Sequence, residues 1–246
     1  MSPITGVETV ASLRVRLEQT ERQMAARQRQ LERYAADLRE VFKQERIRAQ
    51  ELRRSYITTV RALSNAVEAR DAYTGKHAER VAAYGMELAR AIGVEIAESP
   101  QIEFGFLLHD VGKVGVPDAI LFKSSALTEE EYALVRRHPV IGSEILRDVE
   151  FLGEGKLVVR HHHERWDGSG YPDGLRGETI PLAARVFACA DALDALTTDR
   201  PYRPASSFAV ARREVCAGSG TQFDPSVIAA YDRIPDETFE RLRGAL

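Results

Sequence analysis

Apolar side chains recur every seven residues along the first 52 positions, in two phases that lie three residues apart. No Gly or Pro occurs between Val7 and Thr74, and this stretch is rich in the helix formers Arg, Glu, Gln, Ala and Leu. The pattern predicts one long helix with an a/d seam, which favours a coiled coil over a lone amphipathic helix packed on the body. Polar residues interrupt the seam at Thr20, Arg27, Glu45 and Arg48. The apolar seam positions are Val10, Leu13, Leu17, Met24, Leu31, Tyr34, Leu38, Val41 and Leu52.

The remaining chain shows helical spacing separated by turns and no run of period-two alternation, which predicts an all-α fold. After Ser55 the apolar content rises, so the long helix is expected to enter a globular body and to break at Thr74-Gly75. Thr128 and Glu131 predict a capping box. We therefore expect a coiled-coil segment at 1–55 and a globular domain at 56–246. Further helices are expected at 78–93, 101–110, 129–138, 140–148, 154–163, 181–196 and from Asp224-Pro225, with an irregular loop at 167–181.

Composition narrows the class of protein. Of the 246 residues, 44% are apolar and 29% charged, which is typical of a globular protein, and no apolar run predicts a membrane span or a secretory signal. Only Cys189 and Cys216 occur, which excludes a disulfide scaffold and a thiolate zinc site and predicts a cytoplasmic location. Residues 1–56 carry a net charge of +4 with interleaved signs, and the remainder carries −7, which disfavours a nucleic acid polymer as partner.

The six histidines all lie between positions 77 and 163, and each falls at a predicted helix end or break. Side chains at such positions can converge from different helices, although a lone histidine there is more often a cap or a surface residue. The pair His109-Asp110 is a stronger signal, because at a helix end broken by Gly112 both side chains can face one centre. Asp191 lies in the apolar stretch FACADALDAL and needs a metal ion or a cationic partner such as Arg185.

Three motifs in this order resemble the HD-GYP domain, a branch of the HD phosphohydrolase superfamily: HDVGK at 109–113, HHERWDGSGYP at 162–172 and ADALDAL at 190–196. The resemblance covers about residues 56–235 and implies an HD-type helical bundle. It also implies a metal-dependent phosphodiesterase that opens cyclic di-GMP, with pGpG, or GMP after a second cleavage, as the product. The ligands that it implies for two divalent ions, iron or manganese with zinc as a further candidate, are His77, His109, Asp110, His138, His162, His163 and Asp191.

In the implied mechanism, Asp110 bridges the two cations, and a hydroxide held between them attacks phosphorus in line, so no side-chain nucleophile is needed. Lys113 resembles the family lysine that contacts the scissile phosphate, although a surface lysine capping the helix end is the alternative. The GYP loop, DGSGYPDGLRG at 167–177, either contacts substrate through Tyr171 or only supports the HHE segment at 162–164. The candidate substrate-binding residues are Lys113, Tyr171, Asp194, Arg200, Tyr202 and Arg203.

Two positions depart from the family pattern. Tyr73 stands where some relatives have a Glu that binds a third metal, which favours a two-metal centre. His161 is a third histidine directly before the His162-His163 pair, where the family pattern has only two. The alternatives to a cyclic di-GMP phosphodiesterase are a hydrolase of another cyclic dinucleotide or nucleotide, and a non-catalytic cyclic di-GMP-binding module. The N-terminal seam predicts a homodimer in each case.

Overall fold

The computed structural model describes residues 9–69, 76–93, 99–123, 125–199 and 203–246. This part of the chain is predominantly helical and contains no β-strand, which confirms the predicted all-α fold. Short 3-10 turns occur at Val111–Gly115, Glu150–Leu152 and Gly177–Thr179. The helices are α1 (Val10–Glu68), α2 (His77–Ile92), α3 (Pro100–Leu107), α4 (Asp118–Leu121), α5 (Glu129–Val135), α6 (His138–Ile145), α7 (Gly155–His161), α8 (Leu182–Thr197), α9 (Phe208–Ala217), α10 (Pro225–Tyr231) and α11 (Asp236–Gly244).

The chain divides into two compact units, Met1–Tyr56 and Ile57–Leu246. In the described part of the first unit, the nine apolar seam side chains are between 48% and 68% exposed. Such a stripe on a single helix leaves apolar surface in water. Only one copy of the chain is described, so the coiled coil stays a prediction. No described helix is both long and apolar enough to cross a bilayer.

The core of the second unit forms where α2 packs along α8. Tyr84 on α2 and Phe187 on α8 are fully buried. Burying each such side chain contributes roughly 1.5–3 kcal/mol. Gly85 is required for close packing, because a Cβ there would lie 2.4 Å from a ring carbon of Phe106 on α3. The packing of α2 against α8 and α3 thereby holds α3 and the segment that follows it in a fixed position.

Helix ends follow the predicted capping chemistry in part. The capping box of Thr128 and Glu131 is present and opens α5. The predicted helix at 129–138 is wrong in its length, because α5 ends at Val135 and a new helix begins at His138 with Pro139 in its first turn. A proline there fits a helix start because the first helical N–H groups have no partner within the helix.

Two further expectations need correction. The first helix ends at Glu68 rather than at Thr74-Gly75, and those last two residues lie outside the described part of the chain. The Glu68 carboxylate accepts a hydrogen bond from the Ala78 backbone N–H at 2.6 Å, so this side chain serves the start of α2. The loop at 167–181 contains the 3-10 turn Gly177–Thr179, because the Thr179 hydroxyl accepts from the Arg176 N–H and donates to the Arg176 carbonyl.

Candidate metal centre

The predicted convergence of histidines arises from four helix ends. His77 and His138 are the first residues of α2 and α6, His109 follows the end of α3, and His162 and His163 follow α7. Gly112 fixes the approach of two of these ends, since a Cβ there would lie 1.9 Å from the His138 carbonyl oxygen. This contact places the turn after the His109-Asp110 pair directly against the start of α6.

Backbone carbonyls set the tautomer of three of these histidines. The Nδ1 atoms of His109, His138 and His162 lie 2.9, 2.8 and 2.9 Å from the carbonyl oxygen three residues earlier in the chain. A carbonyl only accepts, so each Nδ1 carries a proton, and Nε2 presents a lone pair when the ring is neutral. This second hydrogen bond is the usual way in which proteins orient a metal-binding imidazole.

Two of these lone pairs face each other. The Nε2 atoms of His138 and His162 are 3.1 Å apart, and both are acceptors when the two Nδ1 atoms are protonated. Two acceptors at that distance in a buried site repel unless a cation lies between them. The residues present therefore fit a bound metal ion.

Asp110 is shared by two groups of potential ligands. Its Oδ1 lies 3.2 Å from the Nε2 of His138, and its Oδ2 lies 3.1 Å from the Nε2 of His109. Within each group the ligand atoms lie within 4.8 Å of one another. Asp191 adds an oxygen 3.4 Å from the Nε2 of His77. The two groups are Asp110, His138, His162 and His163 on one side, and His77, His109 and Asp110 on the other.

Electrostatics prepare these groups for a cation. Burial alone would raise the pKa of Asp110, but Lys113, whose Nζ lies 2.8 Å from Oδ2, and His109 hold that pKa well below its ordinary value. Burial lowers the pKa of His163 to about 4, and burial also lowers that of His162 well below its usual range. The carboxylate is charged and these two imidazoles are neutral near pH 7, which are the forms that bind metal.

A buried pair of charges holds His77. Asp194 is 1% exposed and lies 2.8 Å from the His77 Nδ1 and 2.6 Å from the Arg80 Nε. Burial would raise the pKa of Asp194, but the hydrogen bonds from these two side chains outweigh it and lower that pKa. The Nδ1–H therefore donates to Asp194, which leaves the Nε2 of His77 facing Asp191.

The GYP loop is anchored to the same helix end that carries His162 and His163. Glu164 is buried and accepts hydrogen bonds from the backbone N–H groups of Asp173 at 2.8 Å and Leu175 at 3.1 Å. Arg160 binds the Asp173 carboxylate with two bonds of 2.8 and 2.7 Å. The Tyr171 ring stacks on His163, with centroids 4.7 Å apart and planes inclined by 26°. The loop thus both braces the ligand-bearing segment and lines the centre.

Comparison with known proteins agrees with this geometry. The family model described as HD domain matches residues 61–227. This chain belongs to the HD domain family. The match and the curated relatives below confirm the resemblance stated from the sequence motifs.

Curated relatives of this HD domain chain include two named phosphodiesterases. The "cyclic di-GMP phosphodiesterase response regulator RpfG" of Xanthomonas campestris is 42% identical over 177 residues, which cover 71% of this chain and 47% of that protein. The "3'3'-cGAMP-specific phosphodiesterase 2" of Vibrio cholerae is 40% identical over 180 residues, which cover 72% of this chain and 34% of that protein. The chain therefore matches less than half the length of these relatives.

Two solved structures share the fold. A cyclic GMP-AMP-specific phosphodiesterase of V. cholerae (V-cGAP3) aligns with a TM-score of 0.54 and 20% identity, covering 75% of this chain and 53% of that one. Bd1817 of Bdellovibrio bacteriovorus, a HDG"Y"P protein, aligns with a TM-score of 0.54 and 21% identity, covering 78% and 65%. At this identity the likeness concerns the fold of the HD domain alone.

The remaining candidate substrate-binding residues, and the two positions that depart from the family pattern, are not gathered around the candidate ligands in the same way. Arg203 is exposed and its Nη2 donates to the Ala195 carbonyl at 2.5 Å. Arg200, Tyr202 and Tyr73 lie outside the described residues. His161 is 8% exposed, and its Nδ1 lies 3.5 Å from an oxygen of Asp173. Asp194 is engaged with His77 and Arg80, so its observed contacts are those of a positioning group rather than of a substrate ligand.

Three features of the centre did not emerge from the sequence. Arg185 binds Asp224, not Asp191, through an Nη1–Oδ2 contact of 2.5 Å, so it does not neutralise the candidate ligand. Arg80 pairs with Asp194, and its position one turn after His77 on α2 is the signal that could have suggested this. Phe187 forms an apolar wall, with its ring 4.6 Å from His109 and 5.6 Å from His162 between centroids.

Proposed function

We propose that this chain is a metal-dependent cyclic di-GMP phosphodiesterase that uses two divalent ions, iron or manganese with zinc as a further candidate, and that its product is pGpG, or GMP after a second cleavage. The observation that carries the proposal is the sharing of Asp110 between two groups of potential ligands, each of which contains buried imidazoles. Relatives named as cyclic di-GMP phosphodiesterases support the choice of substrate. The proposed ligands are the seven residues named from the motifs.

Two cations bound there would neutralise the phosphodiester and supply a nucleophilic water at neutral pH. The chain's own residues hold this arrangement in place. Asp110 offers one oxygen to each group, and Asp194 fixes the ring of His77. The Lys113 ammonium, 23% exposed beside Asp110, provides a positive charge for the scissile phosphate. A small, largely apolar cavity borders this site and is lined by His77, His109, Asp110 and Lys113 among others.

The first unit is proposed to dimerise the protein. Its support is the exposed heptad seam of α1, and residues 1–55 and 56–246 are the proposed coiled-coil and catalytic domains. The scarcity of cysteine supports a reducing cytoplasm as the location. The −7 charge of the globular part supports a small nucleotide rather than a nucleic acid polymer as the ligand.

A second candidate function is hydrolysis of 3'3'-cGAMP by the same centre. It is supported by the relatives of V. cholerae that are named as specific for that nucleotide, at 36–40% identity. A non-catalytic binding module would be expected to have lost ligands, and all seven ligand positions of the motif set are filled here.

Product analysis of three matched variants tests the proposal. Asp110→Ala should abolish cyclic di-GMP turnover and lower the metal content, because it removes the group that both ligand sets share. Lys113→Ala should lose turnover but retain metal, whereas Lys43→Ala, which changes an exposed lysine of α1, should match the wild type. Near-normal cleavage by Asp110→Ala would contradict the mechanism. Cleavage of 3'3'-cGAMP but not of cyclic di-GMP by the wild type would establish the second candidate instead.

A further inference from the structure

An arginine at the end of α5 lies over two tyrosine rings beside the metal centre. The Cζ of Arg136 is 4.6 Å from the centroid of the Tyr132 ring and 5.4 Å from that of the Tyr171 ring. Tyr171 in turn stacks on His163, a proposed metal ligand. Arg136 and Tyr132 are both exposed, with 43% of Tyr132 accessible. The series His163, Tyr171, Arg136 and Tyr132 therefore leads from the proposed metal ligands to solvent.

Arg136 gives this series a positive charge in addition to that of Lys113. Tyr171 lies within electrostatic reach of Lys113, Arg136 and the Asp110 carboxylate. Lys113 contacts Asp110 directly, so it lies where the scissile phosphate would be bound. Arg136 caps the end of α5, and within the described part of the chain its guanidinium lies over two aromatic rings. The two cations thus have different surroundings and are suited to different parts of a ligand.

A guanidinium held against aromatic faces is suited to read a base edge. It keeps five N–H donors in one rigid plane, and it can pair two of them with two adjacent acceptors. Guanine offers such acceptors at O6 and N7, whereas adenine offers an acceptor at N7 and a donor at N6. Tyrosine rings provide faces on which a base can stack. A phosphate contact would use the same donors, but the aromatic faces would add nothing to it.

We propose that Arg136 is a specificity-determining residue that recognises a guanine base of the cyclic dinucleotide, with the exposed Tyr132 ring as the neighbouring stacking face. This inference rests on the proposed function, because it assigns a base-reading role at the same centre. It adds a side chain that the motifs did not indicate and that lies in the described part of the chain, unlike Arg200 and Tyr202.

The test compares kcat/KM for cyclic di-GMP, cyclic di-AMP and the base-free diester bis(p-nitrophenyl) phosphate. Arg136→Ala should lower the ratio of cyclic di-GMP to cyclic di-AMP by about 5- to 150-fold, the range for losing one bidentate arginine–guanine contact. Arg136→Lys should lower this ratio similarly, because lysine keeps the charge but not the fork. Where cyclic di-AMP turns over too slowly, its inhibition constant replaces its kcat/KM. Arg137→Ala, which changes the adjacent exposed arginine, is the matched control and should keep the wild-type ratio.

Each outcome separates the inference from the proposed function. An equal loss on both cyclic dinucleotides in Arg136→Ala would mean that Arg136 contacts phosphate, and this would overturn the base-reading role. Ratios in Arg136→Ala equal to those of Arg137→Ala would also overturn it. A wild-type chain that cleaves bis(p-nitrophenyl) phosphate but no cyclic dinucleotide would overturn the proposed function and this inference together.

Discussion

Replacing Asp194 by Asn should weaken metal binding without removing any metal ligand. The carboxylate accepts from the Nδ1–H of His77 at 2.8 Å and from the Arg80 guanidinium at 2.6 and 3.1 Å. An amide has nearly the same shape but no charge, and its NH2 group must face one of these donors. The ring of His77 then loses its fixed orientation, and Arg80 loses its buried counter-charge.

The expected magnitude follows from these contacts. A hydrogen bond to a charged group contributes about 1.5–3 kcal/mol, so Asp194→Asn should lower the free energy of unfolding by about 2–3 kcal/mol. Loss of the carboxylate partner of a ligating histidine typically weakens metal affinity by about 10- to 100-fold. Urea unfolding and calorimetric titration of Mn²⁺ into the metal-depleted protein measure the two effects separately.

Asp224 provides the matched control. It is also an almost fully buried aspartate, 3% exposed, that pairs with an arginine, Arg185, at 2.5 Å. It caps the start of α10 through the Ser226 N–H and is not among the proposed ligands or their hydrogen-bond partners. Asp224→Asn should therefore cost similar stability and leave Mn²⁺ affinity within about twofold of the wild type. Equal Mn²⁺ affinities for Asp194→Asn and Asp224→Asn would refute the positioning role of Asp194.

Three further predictions concern the backbone, pH and assembly. Gly112→Ala should lower the free energy of unfolding, measured in urea, by at least about 2 kcal/mol and should reduce the amount of bound metal, because the added Cβ would lie 1.9 Å from a backbone oxygen. The control is Gly244→Ala, where no atom lies within 4 Å of the added Cβ, and this change should leave stability unchanged or raise it slightly. The free energy of unfolding of the metal-free protein should fall by about 3 kcal/mol through His163 as pH falls from 6.5 to 4, because the pKa of this histidine is near 6.5 in the unfolded chain and about 4 in the folded one. His163→Asn should reduce the dependence of this free energy on pH, and an unchanged dependence would contradict the prediction. Light scattering should give a dimer for the intact chain and a weaker dimer or a monomer for a chain starting at Ser55; a monomeric intact chain at micromolar concentration would refute the seam.

The positions of the histidines were predictable because local signals fix helix ends. Pro139, Gly112 and the capping box at Thr128 mark those ends in the sequence, and the ligand candidates lie next to them. The capping box itself formed as predicted, since its two reciprocal hydrogen bonds involve residues only three positions apart. Local chemistry of this kind depends little on the rest of the fold.

Long-range pairing was not predictable in the same way. The contact of Arg80 with Asp194 spans 114 positions and exists only because α2 packs along α8. The choice of Arg185 for Asp224 rather than for Asp191 likewise depends on where α10 begins. No helix-breaking residue in the sequence marks the end of α1 at Glu68, whose carboxylate accepts a hydrogen bond from the Ala78 N–H ten residues later.

The number of metal ions per chain tests the central claim most directly. Elemental analysis of anaerobically purified protein, carried out on the same sample that is assayed for cyclic di-GMP turnover, should give about two iron or manganese ions per chain. Two ions are expected because the candidate ligands form two groups that share Asp110. A sample that turns over cyclic di-GMP with less than one metal ion per chain, or a fully occupied third site at this centre, would contradict the account.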